Sequence, residues 1–325
     1  MILPLLFLEY VKNAGIWLPN AGVVAWMLGR MSKAKSKSRV FAERLFSTVL
    51  LAVIVGGTFV SKNPWAFLGL ISFLSIAASV ELFRMIRGSG LPCQRGWGAF
   101  LSITYTLLVA FLLASRGADA FPILGAVDAA VIALAVIVTF ILQLRHPIEG
   151  KNALVSVAST VLSLRYVPFL FSFMGRVLFI PELEGGVPGA WLLLWLVCVT
   201  KITDIGAYCT GSLIGKHKMI PHISPGKTWQ GFFGAIVWAV AMGCGLYALK
   251  SDQLGVLGGW GHVIGLSILL SLLTVVGDLA ESVVKRSLEA KDSGNTLPGI
   301  GGALDLIDSL CFTAPALYFY LLWVV

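Results

Sequence analysis

The sequence predicts an all-α, polytopic transmembrane protein with about nine to ten membrane helices. Of its 325 residues, 58% are hydrophobic and only 12% are charged, whereas roughly a quarter of the residues in an ordinary soluble domain are charged. Apolar segments long enough to cross about 30 Å of hydrocarbon, which takes ~20 helical residues, recur along the whole chain. These observations leave no room for a large soluble domain.

Nine candidate membrane helices follow from the apolar windows between clusters of charged and helix-breaking residues. They are expected at residues 45–60, 65–83, 97–115, 121–143, 152–180, 189–212, 229–249, 262–284 and 303–325. The segment that precedes them is also apolar, but Glu9 and Lys12 interrupt it and no small-residue cleavage site is evident. We therefore expect an anchor or re-entrant segment there rather than a signal peptide.

Basic residues are distributed unevenly between the two sides of the predicted membrane protein. If successive loops alternate sides, loops 30–44, 84–95, 144–151, 215–228 and 285–302 together carry 17 Lys and Arg residues. The opposite loops carry only Lys62, Arg116, Arg176 and Lys250. Because cytoplasmic loops are enriched in Lys and Arg, the first set is expected in the cytoplasm. The formal charge of +8 reflects this asymmetry, and no nucleic-acid partner is expected.

Acidic residues are concentrated in the C-terminal third of the chain. Half of the sixteen lie between residues 200 and 310, and five of these fall within or at the ends of apolar spans: Asp204, Asp278, Glu281, Asp305 and Asp308. A charged side chain near the bilayer centre costs about 2.5–3.5 kcal/mol. Such residues therefore need partners or a polar cavity. The pattern alone leaves structural ion pairs, a transport pathway and catalysis open.

Two of the predicted helices carry polar side chains on one face, because their spacing is i, i+3 and i+4. The first set is Asp278, Glu281, Ser282 and Lys285, and the second is Asp305, Asp308 and Ser309. Carboxylate oxygens from two helices, with coordination positions left for a substrate, suit Mg²⁺. We expect the two faces to meet and to hold this ion.

A basic, glycine-rich segment connects the two acidic faces. It contains Lys285, Arg286, Lys291, Asp292, Gly294 and the turn at 298–302. Cations and backbone N–H groups therefore lie beside the carboxylates. This combination suits a metal-bound polyphosphate, because the metal bridges phosphate oxygens and the basic residues neutralise the remaining charge.

A second polar segment, residues 216–229, is expected on the same side of the membrane. Its Gly-Lys-Thr tripeptide resembles the end of a P-loop, but the glycine that this motif requires at position 221 is Pro221, so the P-loop is rejected. The segment still offers phosphate the Lys227 cation and the positive end of the following helix. Alternatively, Ser224 or Thr228 provides an ordinary helix N-cap.

Two further cations, Arg165 and Lys201, lie inside predicted spans. Each of them either pairs with a carboxylate, extends its long side chain toward the interface or takes part in function. The sequence does not decide between these interpretations. The four histidines show no spacing typical of metal ligands.

Taken together and in this order, the motifs resemble those of the phosphatidate cytidylyltransferase family, also called CDP-diacylglycerol synthases. The C-terminal signature comprises Ser282, Lys285, Arg286, residues 291–294, 297–299, 301–302 and 305–309, and the upstream motifs comprise residues 204–208, 215–217, 224–231 and 277–279, with a weaker echo at 81–85. The resemblance runs from Arg44 to the C-terminus. Three positions differ from the family pattern: Ile300 replaces a common His, Leu306 a common Arg and Gln230 a common acidic residue.

The resemblance implies conversion of CTP and phosphatidic acid to CDP-diacylglycerol and pyrophosphate in phospholipid biosynthesis. It implies Mg²⁺ on Asp278 and Asp305, with room for a second cation. The implied catalytic residues are Asp278, Asp305, Asp308, Lys285 and Arg286, and the implied substrate-binding residues are Lys227, Ser224, Thr228, Lys291, Asp292, Asp204 and Ser309. Catalysis would consist mainly of positioning and charge neutralisation.

The apolar and charge pattern, together with the resemblance from Arg44 onward, predicts three regions of the chain. Residues 1–43 form an apolar anchor and basic cytoplasmic segment, residues 44–200 the N-terminal and middle transmembrane helices, and residues 201–325 the catalytic transmembrane region. The implied partners include membrane lipids and allow a homodimer, and the active site is expected at the cytoplasmic face of a bacterial inner membrane. Two alternatives remain: a nucleotidyltransferase for another lipid phosphate, such as an ether lipid, and an ion-coupled transporter.

Overall fold

A computed structural model describes residues 53–148, 150–180, 189–290, 292–294 and 301–324. All of them belong to one compact unit, Ser47–Val325. The predicted N-terminal anchor at 1–43, Lys291 and Ile300 lie outside the described residues.

The described chain is built from α-helices that are connected by short turns. They are α1 Pro64–Gly88, α2 Arg95–Arg116, α3 Phe121–Gln143, α4 Asn152–Leu164, α5 Leu170–Val177, α6 Ala190–Ile214, α7 Trp229–Leu249, α8 Ser251–Leu254, α9 Trp260–Ser287 and α10 Ala303–Val324. Residues 53–61, at the end of the first predicted span, are also helical. Each later predicted span coincides with one of these helices or, at 152–180, with α4 and α5.

Seven helical stretches of the described residues are long and apolar enough to cross a membrane. One of them, Arg95–Gln143, contains 49 residues, enough for about 70 Å of straight helix. It is interrupted by a 3₁₀ turn at Gly117–Ala120. The Tyr105 hydroxyl in α2 donates a hydrogen bond to Asp128 in α3 at 2.8 Å, so α2 and α3 fold back on each other. The predicted all-α, polytopic membrane class is confirmed.

A buried polar network joins α2, α3 and α5. The Arg176 guanidinium, which is 4% exposed, forms an ion pair with Asp128 at 2.8 Å. It also donates a hydrogen bond to the Tyr105 hydroxyl at 3.2 Å. Because the two charges pair with each other within the protein, the pair is compatible with a position inside the membrane.

One turn between α4 and α5 is wider than an α-helical turn. The π-helical residues Arg165–Phe169 include Pro168, which has no N–H to donate to the helix. The Arg165 guanidinium lies 3.5 Å from the centre of the Phe169 ring, a cation–π arrangement. The predicted helix at 152–180 is therefore one continuous stretch with a local distortion.

A short hairpin between α6 and α7 is the feature of the fold that the sequence did not predict. Strands β1, Lys218–Ile220, and β2, Ser224–Thr228, pair antiparallel, and Lys218 lies opposite Thr228. The Gln230 carboxamide oxygen accepts hydrogen bonds from the backbone N–H groups of Lys216 and His217 at 3.1 and 3.2 Å. The start of α7 thus holds the start of the hairpin in place.

Glycines allow the C-terminal helices to approach closely. A Cβ atom at Gly277 in α9 would lie 2.9 Å from the Ser309 Cα atom in α10. A Cβ atom at Gly231 in α7 would lie 2.7 Å from the Ala207 carbonyl oxygen in α6. These approaches bring the polar residues of α6, α9 and α10 to one end of the helical assembly.

Candidate active site

A cavity of about 770 Å³, lined in part by charged and polar side chains, lies between α6, the hairpin, α9 and α10. Nine of the predicted site residues line it: Asp204, Ser224, Lys227, Thr228, Asp278, Lys285, Asp292, Asp305 and Asp308. The cavity therefore brings together side chains from four elements, and the first and last of these residues, Asp204 and Asp308, are about a hundred positions apart in the sequence. Its volume is within the usual range for a small-molecule site of several hundred cubic ångströms.

Three carboxylates converge at the wall formed by α9 and α10. One oxygen each of Asp278, Glu281 and Asp308 lie within 4.8 Å of one another. Glu281 and Asp308 are buried, being only 2% and 5% exposed. Mg²⁺ binds oxygen ligands at about 2.1 Å, so small side-chain shifts suffice for one ion to contact all three. This acidic triad fits a hard divalent cation.

Lys285 connects the two acidic helices. Its ammonium lies 2.8 Å from a Glu281 oxygen and 3.0 Å from an Asp305 oxygen. The second Asp305 oxygen accepts a hydrogen bond from the Gly302 N–H at 2.9 Å, near the start of α10. Asp305, predicted as a metal ligand, thus holds Lys285 and the glycine-rich turn, whereas the triad contains Asp308 and Glu281.

The hairpin contributes a second lysine to the cavity. The Lys227 ammonium lies 2.9 Å from an Asp278 oxygen and donates a hydrogen bond to the Val275 carbonyl at 3.2 Å. The Thr228 hydroxyl caps α7 by accepting a hydrogen bond from the Gly231 N–H at 3.2 Å. The N-cap interpretation of Thr228 is therefore confirmed, and Lys227 is directed to the carboxylates.

Helix α6 places Asp204 and Tyr208 on the cavity wall. One turn earlier, Lys201 lies 3.7 Å from an Asp204 oxygen. At this separation the two groups form an ion pair but not a hydrogen bond, because the donor–acceptor distance of a hydrogen bond is at most about 3.2 Å.

Three of the predicted site residues are not among those that line the cavity. Arg286 is exposed and does not line the cavity. Ser309 is buried beneath it, and both its N–H and its hydroxyl donate hydrogen bonds to Asp308. Ser309 therefore orients a carboxylate of the triad. Lys291, the third, lies outside the described residues.

Two carboxylates matter more in the structure than the sequence suggested. Glu281 was placed on the acidic face without a specific role, yet it belongs to the triad and binds Lys285. Glu81 in α1 accepts a hydrogen bond from the Leu304 N–H at 3.0 Å. Its side chain also fills the space that a Cβ atom at Gly302 or Gly294 would occupy, with separations of 2.6 and 2.5 Å. The 81–85 echo was the one signal for this role.

The arrangement can neutralise a polyphosphate from two sides. The acidic triad offers oxygen ligands to a divalent cation, and Lys227 and Lys285 border the same cavity. Each lysine is now paired with a carboxylate of the triad or with Asp305. If the triad held a divalent cation, the cation would supply positive charge at the carboxylates that Lys227 and Lys285 now neutralise, and both lysines would be available for phosphate.

Comparisons with known proteins give a consistent result. A family model described as "Cytidylyltransferase family" matches residues 42–324. A protein of Mycobacterium bovis named phosphatidate cytidylyltransferase is 32% identical over 288 residues, which cover 84% of each chain.

Other relatives with the same name match shorter regions. The protein of Brucella suis is 44% identical over 139 residues, or 42% of this chain, and the protein of Staphylococcus aureus is 34% identical over 176 residues, or 54% of this chain. The match spans half the length of the Brucella protein and 63% of the Staphylococcus protein.

Proposed function

Because the chain belongs to the cytidylyltransferase family, we propose that it is a membrane-embedded phosphatidate cytidylyltransferase. Its substrates are CTP and phosphatidic acid, and its products are CDP-diacylglycerol and pyrophosphate. The observation that carries this proposal is the cavity in which a carboxylate triad meets two lysines. The names of the relatives support the choice of substrates.

The reaction is a nucleotidyl transfer without a covalent enzyme intermediate. A phosphate oxygen of phosphatidic acid attacks the α-phosphorus of CTP, and a new phosphorus–oxygen bond forms. The bond between the α-phosphorus and the bridging oxygen breaks, and its electron pair leaves with pyrophosphate. The protein has to position two anions and neutralise their charge, which is how phosphoryl-transfer sites generally act.

Asp278, Glu281 and Asp308 would hold Mg²⁺, which supplies charge neutralisation at the nucleotide phosphates. Asp305 stays a proposed metal ligand and is the candidate for a second cation, because its carboxylate lines the same cavity as the triad. Ser309 orients Asp308 through its two hydrogen bonds.

Basic and polar groups around the triad bind the phosphates. Lys227 and Lys285 neutralise the triphosphate from the hairpin and from α9, and Arg286 adds positive charge near the end of α9; Lys291, which lies outside the described residues, is proposed for the same role. The remaining substrate-binding residues border the cavity from the hairpin, from α6 and from the turn before α10: Ser224, Thr228, Asp204 and Asp292.

The site lies at the cytoplasmic face of a bacterial inner membrane in this proposal. The asymmetry of basic loops supports that orientation, and CTP is then available from the cytoplasm while the lipid arrives within the bilayer. The proposed total is nine to ten membrane helices, and it is reached by adding the spans predicted before α1 to those that the structure describes. A homodimer is compatible with this arrangement.

The experiment uses purified full-length protein in detergent micelles with Mg²⁺, CTP and phosphatidic acid. We expect CDP-diacylglycerol and pyrophosphate in equal amounts, and no product after chelation of divalent cations. Asp278→Asn and Asp308→Asn are expected to lower kcat at least about a hundredfold, because each removes charge from the transition-state site. Asp252→Asn, at an exposed residue of α8, is the matched control and keeps wild-type activity.

Circular dichroism and size-exclusion chromatography show whether each variant is folded. A folded Asp278→Asn or Asp308→Asn protein with full activity would contradict the metal assignment. A wild-type protein that converts an ether-lipid phosphate much faster than phosphatidic acid would assign the site to the other lipid class.

A further inference from the structure

Lys201 lies in a predicted membrane span one turn before the cavity-lining Asp204; it does not itself line the cavity, and its ion pair is longer than those of Lys227 and Lys285. Lys227 and Lys285 each lie within 3.0 Å of a carboxylate oxygen, whereas Lys201 approaches Asp204 only to 3.7 Å. Within the part of the chain that the structure describes, its ammonium donates no hydrogen bond. Its side chain is also 32% exposed. An ammonium with three donors therefore has unused binding capacity in an apolar span.

The face of α6 that carries Lys201 connects the cavity to the lipid-facing surface. Lys201, Asp204, Ile205 and Tyr208 are spaced i, i+3, i+4 and i+7, so they lie on one side of the helix. Asp204 and Tyr208 line the cavity. Ile205 and Tyr208 are 55% and 76% exposed, so the same face is open to the bilayer.

The three lysines occupy different depths in the protein. Lys201 lies near the middle of α6, about 20 Å along the helix axis from Ile214, where α6 ends beside the hairpin. Lys227 belongs to the hairpin itself, and Lys285 is close to Ser287 at the end of α9. Lys201 is therefore the cation on the membrane side of the carboxylates, and the other two are on the side of the loops.

We propose that Lys201 binds the phosphate monoester of the lipid substrate as it enters from the bilayer between Tyr208 and the acidic triad. This inference rests on the proposed function and divides its site into two parts. Lys227 and Lys285 bind the soluble nucleotide, and Lys201 binds the lipid phosphate. In the absence of lipid, Asp204 is the counter-ion that keeps the ammonium in place.

The division predicts selective effects on the two substrates. In mixed micelles, Lys201→Met is expected to raise the KM for phosphatidic acid about tenfold to a hundredfold, as expected for a lost charge-assisted hydrogen bond, with a change in the KM for CTP below about twofold. Lys201→Arg retains the cation and most of the affinity for phosphatidic acid. The control is Lys151→Met, which removes a positive charge at an exposed residue at the start of α4.

A double variant separates lipid binding from simple charge balance. If Lys201 served only to neutralise Asp204, the KM for phosphatidic acid of Lys201→Met combined with Asp204→Asn would return to that of Asp204→Asn alone, which is the baseline because Asp204 borders the same cavity. We expect the KM to stay raised above this baseline in the double variant. A return to the baseline, or an equal rise in both KM values for Lys201→Met, would overturn the proposal.

Direct binding measurements test Lys201 independently of catalysis. Dioleoyl phosphatidic acid is titrated into the detergent-solubilised protein without CTP, and tryptophan fluorescence reports binding; phosphatidylglycerol, a phosphodiester, is the comparison lipid. Lys201→Met should weaken binding of phosphatidic acid and leave phosphatidylglycerol unchanged. Equal binding of phosphatidic acid by wild type and variant overturns the role of Lys201, whereas a wild type that binds the lipid without CTP turnover overturns only the proposed function.

Discussion

Among single residues, Glu281 connects two parts of the site. One of its oxygens pairs with Lys285 at 2.8 Å, and the carboxylate also belongs to the triad with Asp278 and Asp308. Because Glu281 is only 2% exposed, water could not take the place of its carboxylate if that charge were removed. Glu281 therefore determines both where the ammonium lies and how much negative charge faces a cation.

Replacement of Glu281 by Gln keeps the shape of the side chain and removes its charge. The Mg²⁺ concentration required for half-maximal activity should rise about tenfold or more, as it does when groups that support metal ligands are removed. The measurement is a Mg²⁺ titration of the cytidylyltransferase reaction at saturating CTP. Glu289→Gln, at an exposed position after α9, should leave the titration unchanged. An unaltered titration for Glu281→Gln would show that Glu281 is not part of the metal site.

The sequence predicted which residue types form the site better than it predicted their partners. The i, i+3 spacing placed Asp278 and Glu281 on one face, and the structure keeps them there. Which carboxylates of α10 approach them depends on the crossing of two helices, and no local pattern encodes that crossing. Glu81 shows the limit most clearly, because it binds Leu304 across 223 residues of sequence.

At the level of secondary structure, the crossing of α9 and α10 sets the distance between the acidic faces. Gly277 lies directly before Asp278, at the point where α9 meets the backbone of Ser309. A side chain at this position would push α10 away from α9. The absence of a Cβ atom is thus a condition for bringing Asp308 to the triad.

Gly277→Ala should therefore destabilise the protein by about 1–3 kcal/mol, the usual cost of overpacking. It should also weaken Mg²⁺-dependent activity, because Asp278 and Asp308 move apart. Thermal unfolding in detergent and the CTP assay measure the two effects. The matched control is Gly265→Ala in the same helix, where a Cβ atom has no neighbour within 4 Å. Equal melting temperatures for the two variants would contradict the close crossing.

Hydropathy predicted helices and failed for the hairpin. The expected span 229–249 coincides with α7, and 121–143 coincides with α3, because long apolar segments end where charges and breakers begin. The hairpin at 218–228 consists mainly of Lys, His, Pro, Ser and Gly, which show no alternation of apolar and polar residues. Gln230 at the start of α7 accepts hydrogen bonds from the backbone just before β1, so contacts outside the two strands support the hairpin.

At the level of the whole molecule, the distribution of basic residues predicts orientation. The hairpin and the end of α9 should face the cytoplasm, and α8 should face the opposite side. In a variant without native cysteines, a single cysteine at the exposed position Lys218 should react with a membrane-impermeant maleimide only after bacterial spheroplasts are permeabilised. A single cysteine at Asp252 should react in intact spheroplasts. The reverse labelling pattern would invert the predicted topology.

The buried pair of Asp128 and Arg176 has a consequence for how the protein is made. The two residues are 48 positions apart, so α3 leaves the ribosome well before its counter-ion in α5 exists. At about 5–20 residues per second, the carboxylate waits roughly 2 to 10 s. During that time α3 depends on its apolar residues to remain inserted in the membrane. Assembly of the N-terminal half is therefore completed only when α5 arrives, and a chain that stops before α5 leaves Asp128 without its counter-ion.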